Sequence, residues 1–121
     1  MFLSFSQQIR RFSVDGFGRV LVGNKVEKLV KNLREGDDVL TPYGLSKILR
    51  IEKREVVNGY YEMVEMNRML ITPDNMVEIY GEWTLPRDVK KINFVKCDCL
   101  YDLELDRHKV VTINGNNVMT K

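Results

Sequence analysis

Short runs rich in Val, Ile, Leu, Met and Tyr alternate with turns centred on Gly and Asn along most of the chain. Gly16-Phe17-Gly18 precedes the run 19–22, and Gly23-Asn24 turns away from it. Glu35-Gly36-Asp37 leads into Val39-Leu40-Thr41, and Pro42-Tyr43-Gly44 opens a long, partly alternating run over 45–57. Asn58-Gly59 is the strongest hairpin signal, because both residue types tolerate the positive φ of a type I′ turn. It predicts pairing of 45–57 with 60–66, after which Asn67-Arg68 turns into Met69–Thr72. A second hairpin is expected between 99–105 and 109–113 across Asp106-Arg107-His108, with Asn114-Gly115 starting a last strand at 117–119. Strands at this spacing, without long helices between them, predict an all-β domain.

Two segments depart from that rhythm. Lys25–Leu33 places Val26, Leu29, Val30 and Leu33 at i, i+3, i+4 and i+7, the spacing of an amphipathic helix, with Glu27 and Lys31 four apart. So short a helix is marginal alone, and an extended piece ending in one tight turn is the competing reading. Leu85-Pro86-Arg87-Asp88-Val89-Lys90 reads as a helical turn, since Pro suits the first helical position.

The chain has 121 residues, enough for one domain with an apolar core. Its apolar and charged shares are those of an ordinary globular protein, and no apolar run reaches the ~20 residues of a membrane span. The net charge of +2 does not imply a polyanionic partner. Residues 1–36 are nonetheless basic, with Arg10, Arg11, Arg19, Lys25, Lys28, Lys31 and Arg34 against Asp15, Glu27 and Glu35. Cys97 and Cys99 are the only cysteines and His108 the only histidine. Cysteines two apart on a strand seldom close a disulfide, and no third or fourth ligand accompanies them, so free structural thiols in a reducing compartment are expected and no metal site. Residues 1–14 have an amphipathic cast and are read as an arm packing on the body or on a partner, with residues 15–121 as the domain proper.

Met69-Leu70-Ile71-Thr72-Pro73-Asp74-Asn75, followed by a β-like run, Gly81 and Trp83, resembles the second conserved block of the Hint (hedgehog/intein) family, which reads roughly apolar-Thr-Pro-x-His. Residues 28–39, ending Gly36-Asp37-Asp38-Val39, resemble the family's Gly-Asp-x-Val entry into its first long strand. There Gly36 allows the bend, Asp37 can bond its own backbone and Val39 enters the core. Gly81-Glu82-Trp83-Thr84-Leu85-Pro86, Cys97-Asp98-Cys99-Leu100-Tyr101-Asp102-Leu103 and Val110-Val111-Thr112-Ile113-Asn114-Gly115 are similar to segments of the Vint subgroup, Hint domains found beside von Willebrand type A modules. The resemblance spans roughly residues 20–120 and implies an all-β horseshoe of two pseudosymmetric halves joined by long bent strands.

The resemblance also implies a chemistry that the residues only partly match. In an active member a Cys attacks the peptide bond before it in an N-to-S acyl shift, and the block's His protonates the departing nitrogen. Counting back from Gly36 places the nucleophile's position at Ser13 without gaps, or at Arg11 with a small insertion, and neither is Cys. A hydroxyl is a far poorer nucleophile than a thiol unless a base activates it. Asn75 stands where His is expected, and a carboxamide exchanges no proton near neutral pH. Thr72 and Asp74 remain, although Thr-Pro-Asp equally makes a turn before a strand. The degenerate positions are therefore Ser13, Thr72, Asp74 and Asn75.

These losses point to a non-catalytic domain that works as a binding or scaffold module on a larger protein or assembly, inside the cell and without cofactor or membrane partner. Phe2, Phe5, Arg10, Arg11, Phe12 and Arg19 are the partner-contacting candidates, because aromatic anchors beside cations make plausible interface cores. One alternative is residual self-cleavage before Ser13 by an N-to-O shift. The other is a ribonucleoprotein contact through the basic N-terminal half, which would weaken steeply with salt.

Overall fold

The computed structural model describes residues 13–23 and 26–121. Strands β1 (Arg19–Val22), β2 (Val26–Leu29), β3 (Asp38–Thr41), β4 (Gly44–Glu55), β5 (Tyr60–Met66) and β6 (Met69–Ile71) make up the first half. They are followed by β7 (Val77–Ile79), β8 (Glu82–Thr84), β9 (Asn93–Lys96), β10 (Cys99–Leu105), β11 (Val110–Ile113) and β12 (Asn116–Met119). Three antiparallel sheets result, in the orders β10-β4-β3-β1-β2, β11-β12-β7-β8 and β6-β5-β9. The all-β horseshoe expected from the sequence is the architecture found.

β4 is the long bent strand of this fold. Its first residues pair with β3, from Thr41↔Gly44 to Asp38↔Lys47, and the rest pairs with β10, from Ile48↔Leu105 to Glu55↔Cys99. The change of partner coincides with a register shift at Glu104/Leu105. Asp106 pins the bend: its Oδ1 accepts from the Ser46 hydroxyl at 2.7 Å and from the Lys47 amide at 2.9 Å. The Ser46 bond is the main reason the Asp106 carboxyl lies below the usual carboxylate range. The main core runs beneath the sheets, with Val20, Val39, Ile48, Val64, Leu103 and Ile113 buried, and a smaller second cluster holds Met63, Cys97 and Leu100. Gly18 belongs to the main core by necessity, since a Cβ there would lie 2.6 Å from Cγ2 of Ile113.

The segment with helical spacing is not a helix. Val26–Leu29 is strand β2, paired with β1 from Val22↔Val26 to Arg19↔Leu29, and a single 3₁₀ turn over Val30–Asn32 follows. The four residues of β2 are too few to bury a helical stripe, whereas pairing with β1 satisfies their backbone directly. The Leu85–Lys90 segment does turn, as a 3₁₀ helix over Pro86–Asp88 with Pro in the first turn. The Asp37 side chain bonds the backbone three residues before it rather than its own, its carboxylate accepting from the Arg34 amide at 2.9 Å beside Gly36 at φ +95°.

Both predicted long hairpins are corrected. Asn58 and Gly59 do take φ of 68° and 71°, but the strands on either side do not pair with each other. Val56 N–H donates to Asp98 O and Cys97 N–H to Gly59 O, so residues 97–98 separate the two arms. β4 then pairs with β10, and β5 with β9 and β6. Nor do residues 99–105 pair with 109–113. Asp106 holds the end of β10 on β4, and the two-residue Asn114-Gly115 turn, at φ 51° and 80°, lets β11 pair with β12 instead. That pairing is the cheaper loop closure. The Asn67-Arg68 turn, at φ 49° and 67°, joins β5 to β6 as expected.

Candidate functional site

The site is built around a segment too short to be a named strand. Val14 is fully buried and bridges Ile71 of β6 on one side and Tyr101 of β10 on the other. Val14 N–H donates to Tyr101 O at 3.1 Å, Tyr101 N–H returns to Val14 O at 2.8 Å, and Asp15 N–H donates to Leu70 O at 3.1 Å. Residues 13–15 thus act as a splint between two sheets, which delivers the Ser13 side chain to the face of β10 and β4 that carries Asp102 and Arg54.

There Ser13, 1% exposed, meets two charges. Its hydroxyl donates to Asp102 Oδ1 at 2.9 Å and accepts from Arg54 Nη2 at 2.6 Å, while Arg54 lies 3.6 Å from Asp102 Oδ2. Register explains the meeting. Arg54 faces Leu100, and Asp102 faces Glu52, so Arg54 and Asp102 are diagonal neighbours across the β4–β10 ladder. The Asp102 side chain is almost entirely buried, and an ionised carboxylate in such a place requires hydrogen bonds and a cation.

The turn after β6 closes the other side. Thr72 N–H donates to Ser13 O at 3.1 Å and its hydroxyl reaches the same oxygen at 3.3 Å. Asn75 N–H donates back to Thr72 O at 3.2 Å, completing the Thr72–Asn75 turn. Asp74 points away from Ser13's network, into a bidentate pair with Arg87 at 2.6 and 2.8 Å. That pair fastens the turn to the 3₁₀ helix over Pro86–Asp88, together with Arg87 N–H on Pro73 O. Asn75 is 3% exposed, and its Oδ1 is a buried acceptor with no hydrogen-bond partner.

Ser13 and Thr72 are therefore in contact, Asn75 is buried in the adjoining turn, and Asp74 serves Arg87. Sequence reading missed Arg54 and the role of Asp102. An Asp inside the apolar strand Cys99–Leu105 was the available signal, because carboxylates are seldom fully buried unless paired. Nothing local marks Arg54, whose place depends on the β4–β10 register. Of the partner candidates, Phe2, Phe5, Arg10, Arg11 and Phe12 lie outside the described residues. Arg19 is exposed and sits 3.7 Å from Glu27. His108 belongs elsewhere, packed on Tyr43 with ring centroids 5.1 Å apart. Near the splint, burial pushes the Asp15 carboxyl above its ordinary value. Burial, followed by the charge of Asp15, pushes the Cys97 thiol up to about 11. Both cysteines are free, and no cluster of metal-ligating side chains occurs among the described residues.

The comparisons with known proteins agree with this geometry. The Vint family model, a Hint domain, matches residues 13–120. The crystal structure of the gp41-1 intein superposes with a TM-score of 0.66 at 15% identity, covering 91% of this chain and 98% of that one. A second crystal structure of that intein, carrying three substitutions, gives 0.64 at 14% identity and covers 91% and 99%. No curated protein matches the chain. At such identities the intein structures speak for the fold alone, and the family match, beginning at Ser13 itself, supplies the rest: the chain belongs to the Hint-domain family.

Proposed function

We propose that this chain is a Hint domain that no longer cleaves a peptide bond and serves as a binding or scaffold module on a larger protein or assembly. One observation carries the reading: the Ser13 hydroxyl is engaged on both sides, donating to Asp102 and accepting from Arg54. An Arg N–H on the oxygen takes one of its two lone pairs and draws electron density from it, which makes a weak nucleophile weaker. The departing nitrogen also needs a proton. Asn75 offers none, since a carboxamide exchanges no proton near neutral pH. Loss of general acid catalysis alone removes a factor of about 10²–10⁴.

One feature favours residual self-cleavage as a second reading. Asp102 Oδ1 lies 2.9 Å from the Ser13 oxygen, within reach of a general base. Intact mass spectrometry of the purified chain over days, with and without hydroxylamine, separates the two. Unchanged mass in both arms is expected. A hydroxylamine-accelerated fragment beginning at Ser13, absent from a Ser13→Ala chain, would overturn the non-catalytic reading.

A further inference from the structure

We propose that the open edge of β9 takes up an extended segment of a partner protein, apolar at its centre and flanked by carboxylates, as an added strand. The inference rests on the binding-module reading and gives it a surface. Among the described residues β9 has one neighbour, β5, and lies at the end of its sheet. Cys97 N–H bonds to Gly59 O, and the register runs from Tyr60↔Lys96 to Met63↔Asn93. Antiparallel ladders alternate, so Val95 and Asn93 continue the bonding toward β5, while the N–H and C=O groups of Phe94 and Lys96 point outward. Those four groups are a template for another strand.

The side chains say what kind of strand fits. Phe94 is 70% and Tyr60 48% exposed, and their rings stack with centroids 5.7 Å apart on the same face as Lys96. An incoming apolar residue would cover this pair, which the domain's own core does not. Charge selects the flanks. Residues 89–96 contain Lys90, Lys91 and Lys96 and no acid, so cations sit at both ends of the strand. Lys96 has a single exposed partner in Asp98 at 3.3 Å, and Glu62 faces Phe94 from β5. A second copy of this chain would set three lysines against three, which opposes edge-to-edge dimerisation. A segment with acidic flanks meets those lysines and matches the open backbone.

The test uses the full chain, isotopically labelled, and two synthetic peptides. One has the sequence Glu-Glu-Val-Phe-Val-Glu-Glu, and the other carries Lys at every Glu. The acidic peptide should shift the amides of β9 and slow hydrogen exchange at Phe94 and Lys96, with affinity falling about tenfold on raising salt or on reversing Lys90, Lys91 and Lys96 to Glu. Phe94→Pro should abolish binding while sparing the β5 ladder, since Pro removes only an outward N–H. The charge-reversed chain should instead prefer the basic peptide, a gain that misfolding cannot mimic. Absence of binding, equal binding of both peptides, or sedimentation showing β9-dependent self-association would each overturn the inference. An uncleaved chain that ignores the acidic peptide removes the edge site alone. A chain that releases a Ser13 fragment removes the non-catalytic reading, whatever the peptide does.

Discussion

Replacing Ser13 by Ala separates a structural hydroxyl from a chemical one. The substitution deletes a donor to Asp102 at 2.9 Å and an acceptor for Arg54 at 2.6 Å. Hydrogen bonds to charged groups contribute about 1.5–3 kcal/mol each to stability. The Asp102 bond counts in full because both groups are buried. The Arg54 bond is discounted to about half, since that side chain is 41% exposed and solvent screens it. Against this, Arg54 and Asp102 already stand 3.6 Å apart and can close into a direct pair, recovering about 1 kcal/mol. The net loss is about 2 kcal/mol, or about 8 °C in Tm for a domain of this size. Differential scanning calorimetry with urea unfolding measures it. Ser13→Cys, which keeps the volume but bonds weakly, should fall between wild type and Ala. A Ser13→Ala chain within about 2 °C of wild type would refute the idea that the hydroxyl binds the two sheets together. A double-mutant cycle with Arg54→Met should give a coupling of about 0.5–1 kcal/mol, and additivity would show that the two side chains act independently.

Gly18→Ala should destabilise by about 1–3 kcal/mol, read by urea unfolding, because its Cβ would meet the fully buried Ile113 at 2.6 Å. Asp15 has a folded-state pKa raised by burial, so its desolvation penalty is present above that pKa and vanishes below the unfolded value. Asp15→Asn should therefore raise Tm at neutral pH and leave it unchanged near about pH 3, and a constant offset at both would contradict the assignment. With its pKa at about 11, the Cys97 thiol is ionised only to roughly one part in a thousand at pH 8. Iodoacetamide followed by peptide mass spectrometry should leave Cys97 unmodified until the chain is unfolded.

The family and the all-β class were legible because they rest on local signals. Gly36, Asn67-Arg68, Pro86 and Asn114-Gly115 each dictate a turn whatever lies beyond it. Strand pairing was not legible where a turn residue and a distant partner compete. Asn58 and Gly59 have hairpin dihedrals, yet residues 97–98 take the backbone groups that a hairpin would have used. The site shows the same division. Ser13 and Thr72 were found from motif spacing, whereas Arg54 reaches Ser13 only through the β4–β10 register and a bend fixed by Asp106. The helical spacing of Val26, Leu29, Val30 and Leu33 misled because a stripe on paper does not reveal that β1 stands ready to pair with Val26–Leu29.

The splint over residues 13–15 also bears on the order in which the chain is assembled. Its hydroxyl partner Asp102 lies 89 positions further on, so the bond closes one of the longest loops in the molecule. Closing so long a loop is entropically costly until the intervening sheets are in place. Residues 13–15 precede every strand of the domain in chain order, whereas β10 follows nine of them. The splint stays unpaired on that side until β10 has been made, and it docks only when the second half arrives. Refolding should accordingly show β3–β4 protection from hydrogen exchange well before protection at Val14.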